Sequence, residues 1–116
     1  MKQSELLENY ENLDLKKLPK QLRKSGFDYE LLLRTNSKCI YKQMKDGRIV
    51  TYEVFKNHIV THRAGMKKFA NQTGIEKDFS DCNEYAEKFP GDEEFGKRAW
   101  SCATLEAAMK RYEALA

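Results

Sequence analysis

No stretch of this 116-residue chain approaches the roughly 18 consecutive apolar residues of a membrane-crossing helix. The opening Met1-Lys2-Gln3-Ser4-Glu5 also lacks the apolar core of a secretory signal. These two absences predict a cytoplasmic protein with no membrane among its partners. Cysteine is scarce. Cys39, Cys82 and Cys102 are odd in number and widely spaced, which argues against a disulfide framework and for reduced thiols. They include no Cys-x-x-Cys pair, and Cys102 falls in an apparent strand where a buried structural thiol is the plainer use. Gly26, Gly47 and Gly96 are isolated, so no glycine-rich phosphate cradle is present.

Histidine is scarcer still. His58 and His62 are four apart, a spacing that places two metal ligands on one face of a helix. The intervening Ile59-Val60-Thr61 reads as strand, where the two side chains stand about 13 Å apart, and residue 59 is not the glutamate of a zincin motif. No metal, no cofactor and no catalytic residue is expected. Asp92, Glu93 and Glu94 form a carboxylate cluster between Pro90-Gly91 and Phe95-Gly96, read as a solvated turn in preference to a cation site or acid–base pair. A chain of this length buries roughly 65% of its unfolded surface, enough for one core but not for a large cofactor cavity as well. A single domain spanning 1–116 is therefore expected.

Charge is what the sequence has in excess, and it is unevenly placed. The net charge of +3 resolves into −3 over residues 1–14, +10 over 15–68 and −4 over 69–116. A basic middle between acidic ends either attracts an anionic partner such as DNA or RNA or is neutralised by the acidic C-terminal third. The run from Leu15 to Lys24 holds five bases and no acid, with Leu15, Leu18 and Leu22 at helical spacing. It reads either as an amphipathic helical segment with solvated bases or as a basic recognition helix. Lys16, Lys17, Lys20, Arg23 and Lys24 are the first candidates for an anionic partner, followed by Lys38, Lys42, Arg48 and Lys56.

Local signals divide the chain into a helical N-terminal segment (1–26), a β-meander (27–63), an irregular packed loop (64–94) and a strand plus helix (95–116). Ser4 caps a first short helix over residues 4–12, and a second follows Asp14, stopped by Ser25-Gly26. Phe27–Arg34 is a strand and Thr35-Asn36-Ser37 a turn. Asp46-Gly47 is the residue pair a type I′ hairpin requires, and it predicts Met44 opposite Ile49, Gln43 opposite Val50, Tyr41 opposite Tyr52 and Cys39 opposite Val54. In that register Cys39, Tyr41, Val50, Tyr52 and Val54 face the core, while Phe55 shares the half-solvated face with Lys38, Lys42 and Glu53. Of the aromatics that could stack bases, Tyr29, Tyr41, Tyr52, Phe55 and Trp100, the register leaves Phe55 as the candidate beside Lys38, Lys42 and Lys56. In the irregular segment Met66–Asn71 reads as a short helix, and Phe69, Ile75, Phe79, Tyr85 and Phe89 as apolar groups that pack. Residues 95–102 read as strand, and Thr104 caps a helix whose stripe is Leu105, Ala108, Met109, Tyr112 and Leu115.

The segments Tyr52-Glu53-Val54-Phe55-Lys56, Glu87 to Trp100 and Thr104-Leu105-Glu106-Ala107-Ala108 resemble small uncharacterised proteins from phages and mobile elements of gut bacteria. The resemblance spans residues 38–112 and carries no active site. Together with the lack of catalytic constellations, the resemblance implies a small non-enzymatic protein of a bacterial host cytosol that inhibits or modulates a host or defence component by protein–protein interaction. The alternative is a nucleic-acid-binding accessory protein using the basic segment 15–68. The expected fold is α+β: an antiparallel sheet of three or four strands packed by a C-terminal helix, with one or two short N-terminal helices.

Overall fold

The computed structural model describes residues 2–74 and 82–115. In chain order the elements are α1 (Gln3–Glu8), a 3₁₀ turn (Tyr10–Asn12), β1 (Leu15–Lys16), β2 (Gln21–Lys24), β3 (Phe27–Arg34), β4 (Lys38–Lys45) and β5 (Arg48–Lys56). There follow β6 (Ile59–Thr61), α2 (Arg63–Thr73), β7 (Tyr85–Glu87), a second 3₁₀ turn (Asp92–Glu94), β8 (Ala99–Cys102) and α3 (Leu105–Ala114). The class is α+β, with more sheet than expected. Two compact units, each discontinuous in sequence, divide the chain: Met1–Leu18 with His58–Lys88, and Pro19–Asn57 with Phe89–Ala116. Among the described residues no helix is long and apolar enough to cross a membrane.

The first unit contains a three-stranded sheet in the order β1-β7-β6, parallel between β1 and β7 and antiparallel between β6 and β7. Leu6, Tyr10 and Ile59 form its core, lined by Leu7, Leu13, Leu15 and Tyr85. Side-chain amides and carboxylates tie these short strands down. Gln3 donates from Nε2 to the Ile59 carbonyl (2.6 Å) and accepts the Ile59 N–H on Oε1 (2.9 Å). The buried Glu87 carboxylate accepts from Tyr10 Oη (3.2 Å) and from the Leu18 N–H (2.8 Å). The segment expected to be largely irregular holds an 11-residue helix, α2, and the strand β7. Phe69 is 57% exposed, so it does not pack as expected; Ile75 and Phe79 lie outside the described residues.

The second unit is a five-stranded antiparallel sheet in the order β2-β3-β4-β5-β8, with α3 on one face. Its helix is closely as read from sequence. Thr104 Oγ1 accepts the Ala107 N–H (3.1 Å), and Ala108 and Tyr112 bury against Ile40 and Val54, with Met109 and Leu115 beside them. Leu105 departs from the stripe and is 47% exposed. At the far end of the sequence run 95–102 only Ala99–Cys102 is strand; the residues before it form turns.

Residues 15–24 are not a helix. They run extended through β1 and β2, and the break falls at Pro19, which lacks the N–H that a helix interior needs. Ser25-Gly26 stops no helix either; it turns β2 into β3, with φ of 54° and 84° at the two positions. Asp46 and Gly47 do the same between β4 and β5, at 52° and 76°. Both pairs need positive φ, which is why each ends in glycine.

The candidate pocket

The register between β4 and β5 begins as the hairpin dictates, with Lys45 opposite Arg48 and Met44 opposite Ile49. Val50 is then skipped: Gln43 pairs with Thr51, Tyr41 with Glu53, Ile40 with Val54 and Cys39 with Phe55. This one-residue bulge overturns the expected faces, because side chains alternate and a shift of one moves the rest of the strand to the opposite side. Val54 therefore joins Ile40 under α3, while Phe55 and Glu53 join Tyr41 on the other face. Phe55 is 0% exposed, stacked on Tyr41 at a centroid distance of 5.8 Å, and is unavailable for stacking a base.

That second face is covered by residues 89–98. The Phe89 ring stands edge-on to Tyr29 (4.8 Å), Phe55 (5.2 Å) and Tyr41 (5.6 Å), and Pro90 is buried behind it. The acidic cluster holds this segment in shape. Glu94 accepts the Gly91 N–H on Oε2 (2.7 Å) and pairs with Arg98 at 3.1 Å, and Arg98 in turn donates to the Lys56 carbonyl (2.6 Å).

Between this segment and the sheet lies an open pocket of about 330 Å³. Phe27, Phe89 and Phe95 supply its apolar walls, and Lys24 and Asp92 are among its lining residues. Polar groups from adjacent strands line its floor. Gln43 Nε2 donates to Tyr29 Oη (2.8 Å), and Ser101 Oγ donates to Glu53 Oε2 (2.5 Å). Glu53 is 4% exposed, and the Ser101 hydroxyl is the one hydrogen-bond partner of its carboxylate among the described residues. Burial pushes its carboxyl above the usual range, against the opposing pull of the Ser101 hydrogen bond. Burial likewise raises the Tyr29 phenol, opposed by the Gln43 hydrogen bond and reinforced by the charges of Glu53 and Asp92.

The bases singled out from sequence divide between the two units. Lys16 and Lys17 belong to the first unit, where the Lys17 ammonium stands 5.1 Å from the Tyr10 ring centroid. Lys20, Arg23 and Lys24 belong to the second unit. There Arg23 pairs with Asp28 at 3.6 Å, and Lys24 Nζ donates to the Pro90 carbonyl (2.8 Å) over the Phe89 ring. Lys42 pairs with Glu30 at 3.8 Å, and Lys38 is engaged by the end of α3. Lys16, Lys20, Arg48 and Lys56 are exposed.

Glu53, Gln43, Tyr29 and Ser101 were not legible as a site in the sequence. The available hint was an acid embedded in Tyr52-Glu53-Val54-Phe55. Among the described residues no three His, Cys, Asp or Glu side chains gather as a metal site. Comparison with protein-family models, curated proteins and solved structures returned no match.

Proposed function

We propose that this chain is a small non-enzymatic binding protein acting by protein–protein interaction, and that the pocket over Glu53 receives a group of its partner. The observation that carries this reading is a buried carboxylate with one hydrogen bond at the floor of an open, aromatic-walled pocket. Concave sites with apolar walls and a few convergent polar groups are the usual form of a ligand site. The Ser101 hydroxyl donates to Glu53, and this reading assigns the pair to binding. The resemblance across residues 38–112 points to a host or defence component as the partner.

Nucleic-acid binding is the second reading, favoured by thirteen bases against nine acids in the second unit. Wild type and Glu53→Gln, immobilised in parallel and exposed to bacterial lysate, separate the two. A stoichiometric protein held by wild type and lost from the variant supports the first reading, and equal retention by both moves the interface away from the pocket. Binding of random DNA or RNA that falls steeply with salt, with no protein captured, supports the second.

A further inference from the structure

We infer that the group received over Glu53 is a donor-rich organic cation, the ammonium or guanidinium of a lysine or arginine side chain on the partner protein. The protein source of that cation rests on the binding reading above; the chemistry of the pocket is argued from its own residues.

Glu53 carries two carboxylate oxygens, of which Oε2 accepts from Ser101, and it forms no ion pair among the described residues. A buried carboxylate is costly unless it is paired and hydrogen-bonded, so a cation entering the pocket finds an interaction that the empty pocket lacks. An anion meets Glu53 with repulsion, and an apolar group leaves the carboxylate desolvated with the Ser101 hydroxyl alone. Gln43 adds to the preference: with Nε2 directed at Tyr29, its carbonyl oxygen is an acceptor for a ligand N–H. The walls suit the same guest. Phe27, Phe89 and Phe95 line the pocket, and aromatic faces attract cations. Phe89 already does so, with the Lys24 ammonium 5.1 Å from its centroid. Lys24 does not itself satisfy Glu53: its ammonium donates to the Pro90 carbonyl, and no ion pair joins the two side chains. The volume of about 330 Å³ admits a side-chain terminus.

The test is an amide NMR titration of the full chain with n-butylammonium chloride, methylguanidinium chloride, and acetylated, amidated Gly-Lys-Gly and Gly-Arg-Gly peptides. Sodium butyrate and sodium chloride at matched ionic strength serve as controls. Saturable shifts are expected at Gln43, Glu53, Phe95 and Ser101 with the cations and peptides, with Kd on the order of millimolar for such small probes. No such shifts are expected with butyrate. Glu53→Gln should weaken binding at least about tenfold. Shifts that butyrate or sodium chloride reproduces, or an affinity unchanged in Glu53→Gln, overturn the cation assignment. The wild-type arms decide this point even if the variant does not fold. Free cations that bind where both peptides fail overturn the side-chain source. A lysate partner that depends on Glu53 in a protein indifferent to all four cation probes overturns the inference and leaves the binding reading intact.

Discussion

Lys38, the first residue of β4, donates from Nζ to the carbonyl oxygens of Tyr112 (2.8 Å) and Leu115 (3.1 Å), with its ammonium 4.4 Å from the Tyr112 ring centroid. The last carbonyls of a helix have no partner within it and lie at the negative end of its dipole. A base counted from sequence as a contact for nucleic acid thus holds α3 to the sheet. Lys38→Met keeps most of the apolar stem and removes the donor, and it should cost about 1–2 kcal/mol. Thermal unfolding checks this, and a midpoint equal to wild type would show that the contact contributes nothing.

Glu53 makes stability fall as pH rises. Its folded-state pKa lies above the unfolded value of about 4.5, so between the two the native chain holds a proton that the unfolded chain has released. Stability therefore declines from pH 4.5 upward, through the raised value. Glu53→Gln removes that decline and should leave the protein at least as stable as wild type at neutral pH. Denaturant titrations at about pH 5 and about pH 8 measure the slope, and a variant with the wild-type pH dependence would exclude Glu53 as its source.

Asp14 works in the opposite direction. Hydrogen bonds from the Asn83 side chain (2.6 Å) and the Glu84 N–H (3.1 Å), with Arg63 at 3.1 Å, hold its carboxyl below the usual value of 3.8. Its contribution is present above pH 3.8 and is lost as pH falls through the lowered value. The same stretch of chain carries the Tyr85 N–H to the Asp14 carbonyl at 2.9 Å, where β1 meets β7. Asp14→Ala should speed amide exchange at Glu84 and Tyr85 while leaving β4 and β5 protected. Exchange rates unchanged at both amides would show that the cluster does not hold this strand pair.

The parts of the fold that were legible from sequence have local causes. Asp46-Gly47 marked a hairpin because two successive positive φ angles admit few residues, and the turn and the Met44–Ile49 pair are found, while the other three expected pairs are shifted by one residue. Thr104 marked the start of α3 because a hydroxyl at that position satisfies a free N–H of the first turn. Phe27–Arg34 is the strand expected, and the Ala108–Tyr112 stripe faces the sheet. Each of these follows from a few neighbouring residues. The leucine spacing of Leu15, Leu18 and Leu22 did not discriminate in the same way, since pairing with distant partners draws the segment into extended chain. Leu15 meets Tyr85 and Leu22 meets Tyr29. The candidate pocket was hidden for the same reason. A bulge at Val50 carries no composition of its own, yet it sends Glu53 and Phe55 to the face that residues 89–98 cover. Local chemistry is written in neighbouring residues, whereas the side of a sheet on which an acid is buried depends on a register shared by strands far apart in the chain.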